Sequence, residues 1–402
     1  MALDLTALRA HFPSLATGLA YFDGPGGTQT PRPVADAIAA TLTGPLSNRG
    51  TSSPSELNAE RAVADFRAAY ADLLHMPATG IVHGRSATQL TYDFSHHLAK
   101  GWKAGDEIIL SRLDHDANVR PWIQAAERAG VTVCWIEIDT GTTELDLDSY
   151  ERALSPRTRL VAVTAASNVL GTKPPVRAIA DRAHEAGALV YVDGVHYAAH
   201  HLVDVPALGA DLFVCSPYKF LGPHCGVLSA APELLETLRP DKLLPSPDTV
   251  PERFEFGTLP YEILAGATAA VDFLAAMDPG TSGTETSRRE CLTRSLTSMH
   301  EHEQSLRTRL QEGLKALGDA ITLHSKALDR TPTLLMTLEG HDARDAQTHL
   351  AARKVVAPAG SFYAHEPFTA LNLKGPALRA GLAPYNTTDD VDRLLDGLAA
   401  FL

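Results

Sequence analysis

Between residues 81 and 228, short apolar runs alternate with stretches of helical apolar spacing, and that alternation leaves few folds open. The runs fall at 81–83, 107–110, 131–138, 159–165, 188–192, 212–215 and 226–228, and helical spacing falls at 88–98, 119–129, 147–154 and 176–186, with a further short helix expected at 202–208. Strand, helix, strand in this order is the mark of a mostly parallel sheet covered on both faces. Such a sheet places its ligand contacts at the carboxyl ends of its strands. Helices are also expected before it, at 33–42 and 54–74, and after it, at 261–277 and 288–317. Short strand-like runs at 321–323, 334–338 and 355–357 and an amphipathic helix at 388–402 complete a second, smaller α+β unit. A chain of 402 residues is long for one core, so two domains sharing one site are expected.

Strand ends are therefore where chemistry should be sought. The run 188–192 ends in Asp193-Gly194, and the run 212–215 is broken by Ser216-Pro217 before Tyr218-Lys219 and a Gly-Pro turn. A lysine in a turn is ordinarily a solvated charge, and an aspartate before glycine an ordinary turn residue. Together, on neighbouring strand ends, they suit pyridoxal phosphate: the lysine holds the cofactor as a Schiff base and the aspartate keeps the pyridine nitrogen protonated. Gly84-Arg85-Ser86-Ala87-Thr88-Gln89 opens a helix after a strand, where free amides and a hydroxyl make a phosphate site. Ser216 and Tyr218 can add phosphate donors. His115 follows another strand end and can lie on a pyridine ring or move a proton. Asn168 and His196 sit where they can reach the cofactor's phenolic oxygen. Asn48-Arg49-Gly50 lies in a polar loop that either faces solvent or reaches the site, which makes Arg49 a candidate substrate contact.

Composition narrows the partners. A formal charge of −13 and a pI near 5.7 argue against nucleic acid or an anionic membrane as the main partner. The first residues carry an acid and no long apolar core, and no run approaches a membrane span, so a cytoplasmic protein is expected. The four cysteines lack CxxC spacing and read as free thiols. The 17 histidines include His196 and His200 but no HExxH or Cys/His ligand set, so no metal is expected.

Motif order then supplies a resemblance. Ala87-Thr88, Asp114-His115-Asp116-Ala117-Asn118, Ser167-Asn168-Val169-Leu170-Gly171-Thr172, Val192-Asp193-Gly194, Ser216-Pro217-Tyr218-Lys219, Arg253-Phe254-Glu255-Phe256-Gly257-Thr258 and Arg379-Ala380-Gly381-Leu382-Ala383-Pro384-Tyr385 resemble the class V aminotransferases, and within them the cysteine desulfurase-like branch. The resemblance covers nearly the whole chain. It implies a fold type I pyridoxal phosphate enzyme with a seven-stranded large-domain sheet, a homodimer and an active site at the dimer interface. Its domains would be an N-terminal arm at 1–20, a large cofactor-binding domain at 21–257 and a small C-terminal domain at 258–402. By position it makes Lys219 the Schiff-base lysine, Asp193 the pyridinium partner and His115 the stacking residue. Ala87, Thr88, Ser216 and Tyr218 would hold the phosphate, with Thr258 reaching in from the other subunit, and Arg379 would bind the substrate carboxylate.

One departure bears on the reaction. Desulfurases carry a persulfide-forming cysteine on a mobile loop before the final strands. Here the matching stretch, 355–365, has neither cysteine nor arginine. The expected reaction is accordingly C–S cleavage by β-elimination from cysteine or an S-substituted cysteine, without a persulfide. Transamination, decarboxylation or epimerisation of a related amino acid are the alternatives, followed by a relative that binds ligand without turnover.

Overall fold

In the computed structural model, which describes residues 3–278 and 286–402, the apolar runs become one seven-stranded sheet. Its strands are β1 (Ile81–Gly84), β2 (Glu107–Ser111), β3 (Thr132–Ile136), β4 (Thr158–Thr164), β5 (Leu189–Asp193), β6 (Leu212–Cys215) and β7 (Gly226–Ala230). They lie side by side in the order β1-β7-β6-β5-β4-β2-β3. The pairs β2–β3, β2–β4, β4–β5 and β5–β6 are parallel. Strand β7 runs antiparallel to both neighbours, pairing Val227 with Cys215 and with His83. Val190, Val192, Val161, Val163, Ile108 and Leu110 are fully buried, as expected of strands covered on both faces. Each contributes roughly 1.5–3 kcal/mol by leaving water.

Because β6 and β7 are antiparallel neighbours, the segment between them must double back at one end of the sheet. That return carries the Ser216–Lys219 motif. Gly226, at its end, permits a contact that no other residue allows: a Cβ there would stand 2.3 Å from the Ser86 carbonyl carbon and 2.6 Å from the Ala87 nitrogen. The lysine turn and the N-terminus of helix Ala87–Ala99 are thereby held against one another.

Two long helices flank this unit. Helix Pro54–Leu74 starts at a reciprocal cap, in which Ser53 Oγ accepts from the Glu56 amide at 3.3 Å and the Glu56 carboxylate accepts from the Ser53 amide at 3.1 Å. Helix Tyr261–Ala275 packs on it and on helix Arg32–Thr43.

A second, antiparallel sheet has the order β8 (Ile321–Leu323), β9 (Thr333–Leu338), β11 (Ala377–Gly381), β10 (Ala359–Gly360). Leu306, Leu310 and Leu314 of helix Arg288–Ala316 and Val391, Leu394 and Leu398 of helix Thr388–Ala399 close its core. The N-terminal segment crosses to it: Ala20–Tyr21 pairs with Val355–Val356, and the Gly381 amide donates to the Phe22 carbonyl at 2.9 Å.

Local differences from the sequence expectation have simple causes. The expected strand at 131–138 ends at Ile136, and Ile138–Asp139 forms a separate hairpin with Glu144–Leu145. The expected helix at 202–208 is one turn, Val205–Leu208, because Asp204 caps it and Gly209 ends it in a left-handed conformation. Short helices at Pro232–Thr237 and His365–Ala370 were not expected; the second has a proline inside it. Among the described residues, no helix is long and apolar enough to cross a membrane, and no His/Cys/Asp/Glu group is arranged to hold a metal ion.

Candidate active site

A cleft of about 670 Å³ opens at the carboxyl ends of β4, β5 and β6, and Arg379 of the second sheet stands in its wall. Ten of the twelve residues singled out in the sequence line it: Ala87, Thr88, His115, Asn168, Asp193, His196, Ser216, Tyr218, Lys219 and Arg379. Thr258 lies instead in a neighbouring cleft of about 460 Å³, with Arg85 and Phe256. Arg49 is on an exposed loop, where Glu60 at 2.9 Å and Glu252 at 3.3 Å engage its guanidinium. Neither lines the larger cleft.

The electrostatics of the site follow from burial beside like and unlike charges. Lys219 donates to the Pro25 carbonyl, and its ammonium lies over the Tyr218 ring at 4.8 Å. Burial, helped by the Arg379 charge, pulls its pKa down to about 7, against the pull of Asp193 and Asp23. Asp193, at the end of β5, accepts from the Val195 amide at 2.9 Å, and burial pushes its carboxyl up to about 6. Behind it Asp114 accepts from Ser111 and, at 2.7 Å, from Asn118, and burial raises it to about 8. His115 Nδ1 accepts from the Ala117 amide at 3.0 Å, and burial lowers its pKa to about 4. The ring is therefore neutral near pH 7 and keeps its proton on Nε2. His196 Nε2 meets the hydroxyls of Thr331 at 2.9 Å and Thr333 at 3.1 Å.

Opposite stands Arg379, on β11. Only 3 % exposed, it donates to the Asn168 carbonyl at 3.0 Å and stacks its guanidinium 3.9 Å above the Phe362 ring. Burial holds its pKa down at about 9.

Several residues that matter here escaped the sequence reading. Asp23 lies in the glycine-rich turn after Phe22, with one carboxylate oxygen buried and unpartnered, in the field of both Arg379 and Lys219. Its signal was present, as an acid beside glycines that bring backbone close to something. Tyr92, Phe362 and Tyr363, which also line the cleft, had no such signal. Cys225 packs behind the lysine turn, 3 % exposed, its thiol pushed up to about 12 by burial. It lines the neighbouring cleft, and no cysteine lines the larger one.

The model of the aminotransferase class-V family matches residues 20–394. The chain belongs to this family. A probable cysteine desulfurase of Vibrio cholerae is 31% identical over 98% of each chain. The aminotransferase-like protein FGM3 of Gibberella zeae is 32% identical over 100% of this chain and 99% of its own. Among solved structures, the cysteine desulfurase CsdA of Escherichia coli superposes with a TM-score of 0.86 at 26% identity, covering 99% of this chain and 98% of its own. This class V chain is thus a fold type I, cysteine desulfurase-like protein, and its family implies pyridoxal phosphate.

The residues present fit that group. The first amides of helix Ala87–Ala99 open on the cleft beside the hydroxyls of Thr88, Ser216 and Tyr218, as a phosphate needs. The buried acid Asp193 and the half-buried lysine Lys219 both line it. Asn168 Oδ1, His196 Nδ1 and Arg379 Nε are buried without a hydrogen-bond partner among the described residues, the state of donors and acceptors arranged for a ligand.

Proposed function

We propose that this class V protein is a pyridoxal phosphate-dependent C–S lyase that acts on cysteine or, in preference, on S-substituted cysteines, and that it works without a persulfide-forming thiol. The observation that carries the reading is the segment Ser361–Ala364, where the resemblance would put the sulfur-accepting cysteine. In this chain it presents Phe362 and Tyr363 to the cleft, and no thiol lines the cavity to accept sulfur. The names of the Vibrio and Escherichia relatives support cysteine as the substrate core.

The residues divide the work as follows. When bound, the cofactor supplies an electron sink for the pair left at Cα. Ala87, Thr88, Ser216 and Tyr218 would hold its phosphate, His115 would stack on its ring, and Asn168 and His196 would contact its phenolic oxygen. Arg379 binds the substrate carboxylate through a guanidinium already oriented by the Asn168 carbonyl and the Phe362 face. Lys219, with a pKa near neutrality, holds the cofactor at rest and takes the Cα proton when released. Asp193, held in place by the Val195 amide, keeps a proton on the ring nitrogen. The Cβ–S bond then breaks with its electron pair on sulfur, which leaves as thiol after taking a proton, and the three-carbon enamine hydrolyses to pyruvate and ammonia. The protein is a homodimer in this reading, with Thr258 and Arg49 serving the partner's cleft rather than their own.

Pyruvate and free thiol from S-alkyl-L-cysteines, lost in Lys219→Ala together with the visible absorption of the loaded enzyme, is the expected result. Turnover that requires an added 2-oxo acid would instead establish an aminotransferase, the second reading, which the name of the Gibberella relative favours.

A further inference from the structure

Phe362 and Tyr363 are consecutive non-glycine residues with left-handed backbones, φ 56° and 54°. A side chain there costs roughly 1–2 kcal/mol per residue, and the surroundings hold both in place. The Asn168 side-chain amide donates to the Phe362 carbonyl at 3.0 Å, and the Asp116 amide donates to the Tyr363 carbonyl at 2.8 Å. Phe362 lies under Arg379, and the Tyr363 ring is tilted against His115 with centroids 5.6 Å apart. The segment is thus tied to two strand-end loops that line the cleft, with the Phe362 ring against Arg379 and the Tyr363 ring against His115. Tyr92, Ala117 and Pro121 continue the same wall.

The charges at this rim are already paired. Arg120 meets Asp116 at 3.0 Å and Glu366 at 3.9 Å, and Arg112 meets Glu366 at 2.5 Å and Glu137 at 2.9 Å. A substrate side chain bearing a charge would have to break one of these pairs, or that of Arg49 with Glu60 and Glu252, to gain a partner. An apolar one needs only to cover the Tyr363 ring, which is 78% exposed, and the open part of the Phe362 ring.

We propose that Phe362 and Tyr363 are specificity-determining residues, which form the side-chain subsite of this cleft and select an α-amino acid with a bulky, uncharged, apolar or aromatic side chain. The inference rests on the seating of an α-amino acid between Lys219 and Arg379 proposed above. Within that reading it names the substrate class as cysteines carrying a large apolar S-substituent. The backbone of the subsite is fixed by the Asn168 and Asp116 contacts, so the selection is a property of a preformed wall.

The test is a binding titration, independent of bond cleavage. The cofactor-loaded enzyme is titrated with L-alanine, L-phenylalanine, L-glutamate, S-methyl-L-cysteine and S-benzyl-L-cysteine, and the change in visible absorption gives each dissociation constant. L-Phenylalanine and S-benzyl-L-cysteine should bind about tenfold or more tighter than L-alanine and L-glutamate. That ratio should collapse toward one in Tyr363→Ala and in Phe362→Ala, with Phe362→Leu, which keeps apolar bulk, retaining most of it. Equal affinity for alanine and phenylalanine in the unaltered enzyme would overturn the proposal. So would a preference that survives both alanine variants, or a loss of dimer in Tyr363→Ala with the preference intact, which would make Tyr363 an intersubunit residue. Tight phenylalanine binding without pyruvate from S-benzyl-L-cysteine would refute C–S cleavage and leave the subsite standing.

Discussion

The cleft has two walls of different origin. One is made of strand ends: Asp193 terminates β5, Thr164 terminates β4, His115 follows β2, and Ser216 follows β6. The other is made by β11 and the segment Ser361–Ala364, which a strand ladder does not position and which is held by Asn168, Asp116 and a ring–guanidinium contact. A residue at the end of a fully buried strand is placed by the packing of the whole sheet, so its position survives large changes in sequence elsewhere. In the second wall Arg379 is likewise placed by a buried, doubly paired strand, whereas Ser361–Ala364 depends on a few pairwise contacts. In the proposed reading, chemistry common to the family, that of Arg379 included, sits on strand-placed residues, and discrimination among substrates on the Ser361–Ala364 segment.

The largest effects should come from the strand-end wall. Asp193→Asn keeps the shape and the Val195 contact but cannot hold a proton on a ring nitrogen with a negative charge. The expected loss in kcat is roughly 10²–10⁴-fold, with visible absorption still present and a small change in Tm. A loss of less than tenfold would mean that the ring nitrogen is not what Asp193 serves.

That same contrast decides what could be read from the chain beforehand. The sheet and its site were legible because an apolar run followed by Asp193-Gly194, or by Ser216-Pro217-Tyr218-Lys219, encodes both the strand and its end. Strand order was not encoded in any local feature, and the antiparallel course of β7 emerges only from pairing with β1 and β6. Asp23 was half legible: its glycine-rich turn signals a close backbone approach, but what it approaches, Arg379 and Lys219 through a bridge to Gly381, is set by long-range pairing. Phe362 and Tyr363 were hidden by their type. Aromatic residues in a loop read as packing, and nothing in Ser361-Phe362-Tyr363-Ala364 signals two left-handed residues, which glycine or asparagine would have done.

A middle-sized effect links the walls through charge. Only a neutral amine attacks an aldehyde, and the pKa of Lys219 is lowered from 10.5 to about 7. Uptake of pyridoxal phosphate by the stripped enzyme should therefore rise as pH passes through about 7 and level off above it, where an ordinary lysine would still be gaining. Asp23 favours the ammonium and Arg379 the neutral amine. Asp23→Asn should move the uptake profile to lower pH, and Arg379→Met should move it to higher pH. Profiles that coincide in the two variants would show that the second wall has no hold on the lysine.

The smallest effect is one of stability, and it separates the two residues of the aromatic pair. Glycine at a left-handed position removes a clash of roughly 1–2 kcal/mol but restores unfolded-state freedom worth roughly 0.5–1 kcal/mol. Tyr363 is mostly exposed, with its ring tilted against His115 at 5.6 Å, so for Tyr363→Gly little else is lost. Its Tm should hold or rise slightly. Phe362 lies under Arg379 and against the large core. Phe362→Gly gives up that stacking, about 0.5–2 kcal/mol, and part of a buried ring besides, and leaves the Arg379 cation with one side open. Its Tm should fall. If the two variants melt alike, the pair acts as one packed unit; if they diverge in this order, Phe362 is the anchor of the second wall and Tyr363 is carried for what it touches in the cleft.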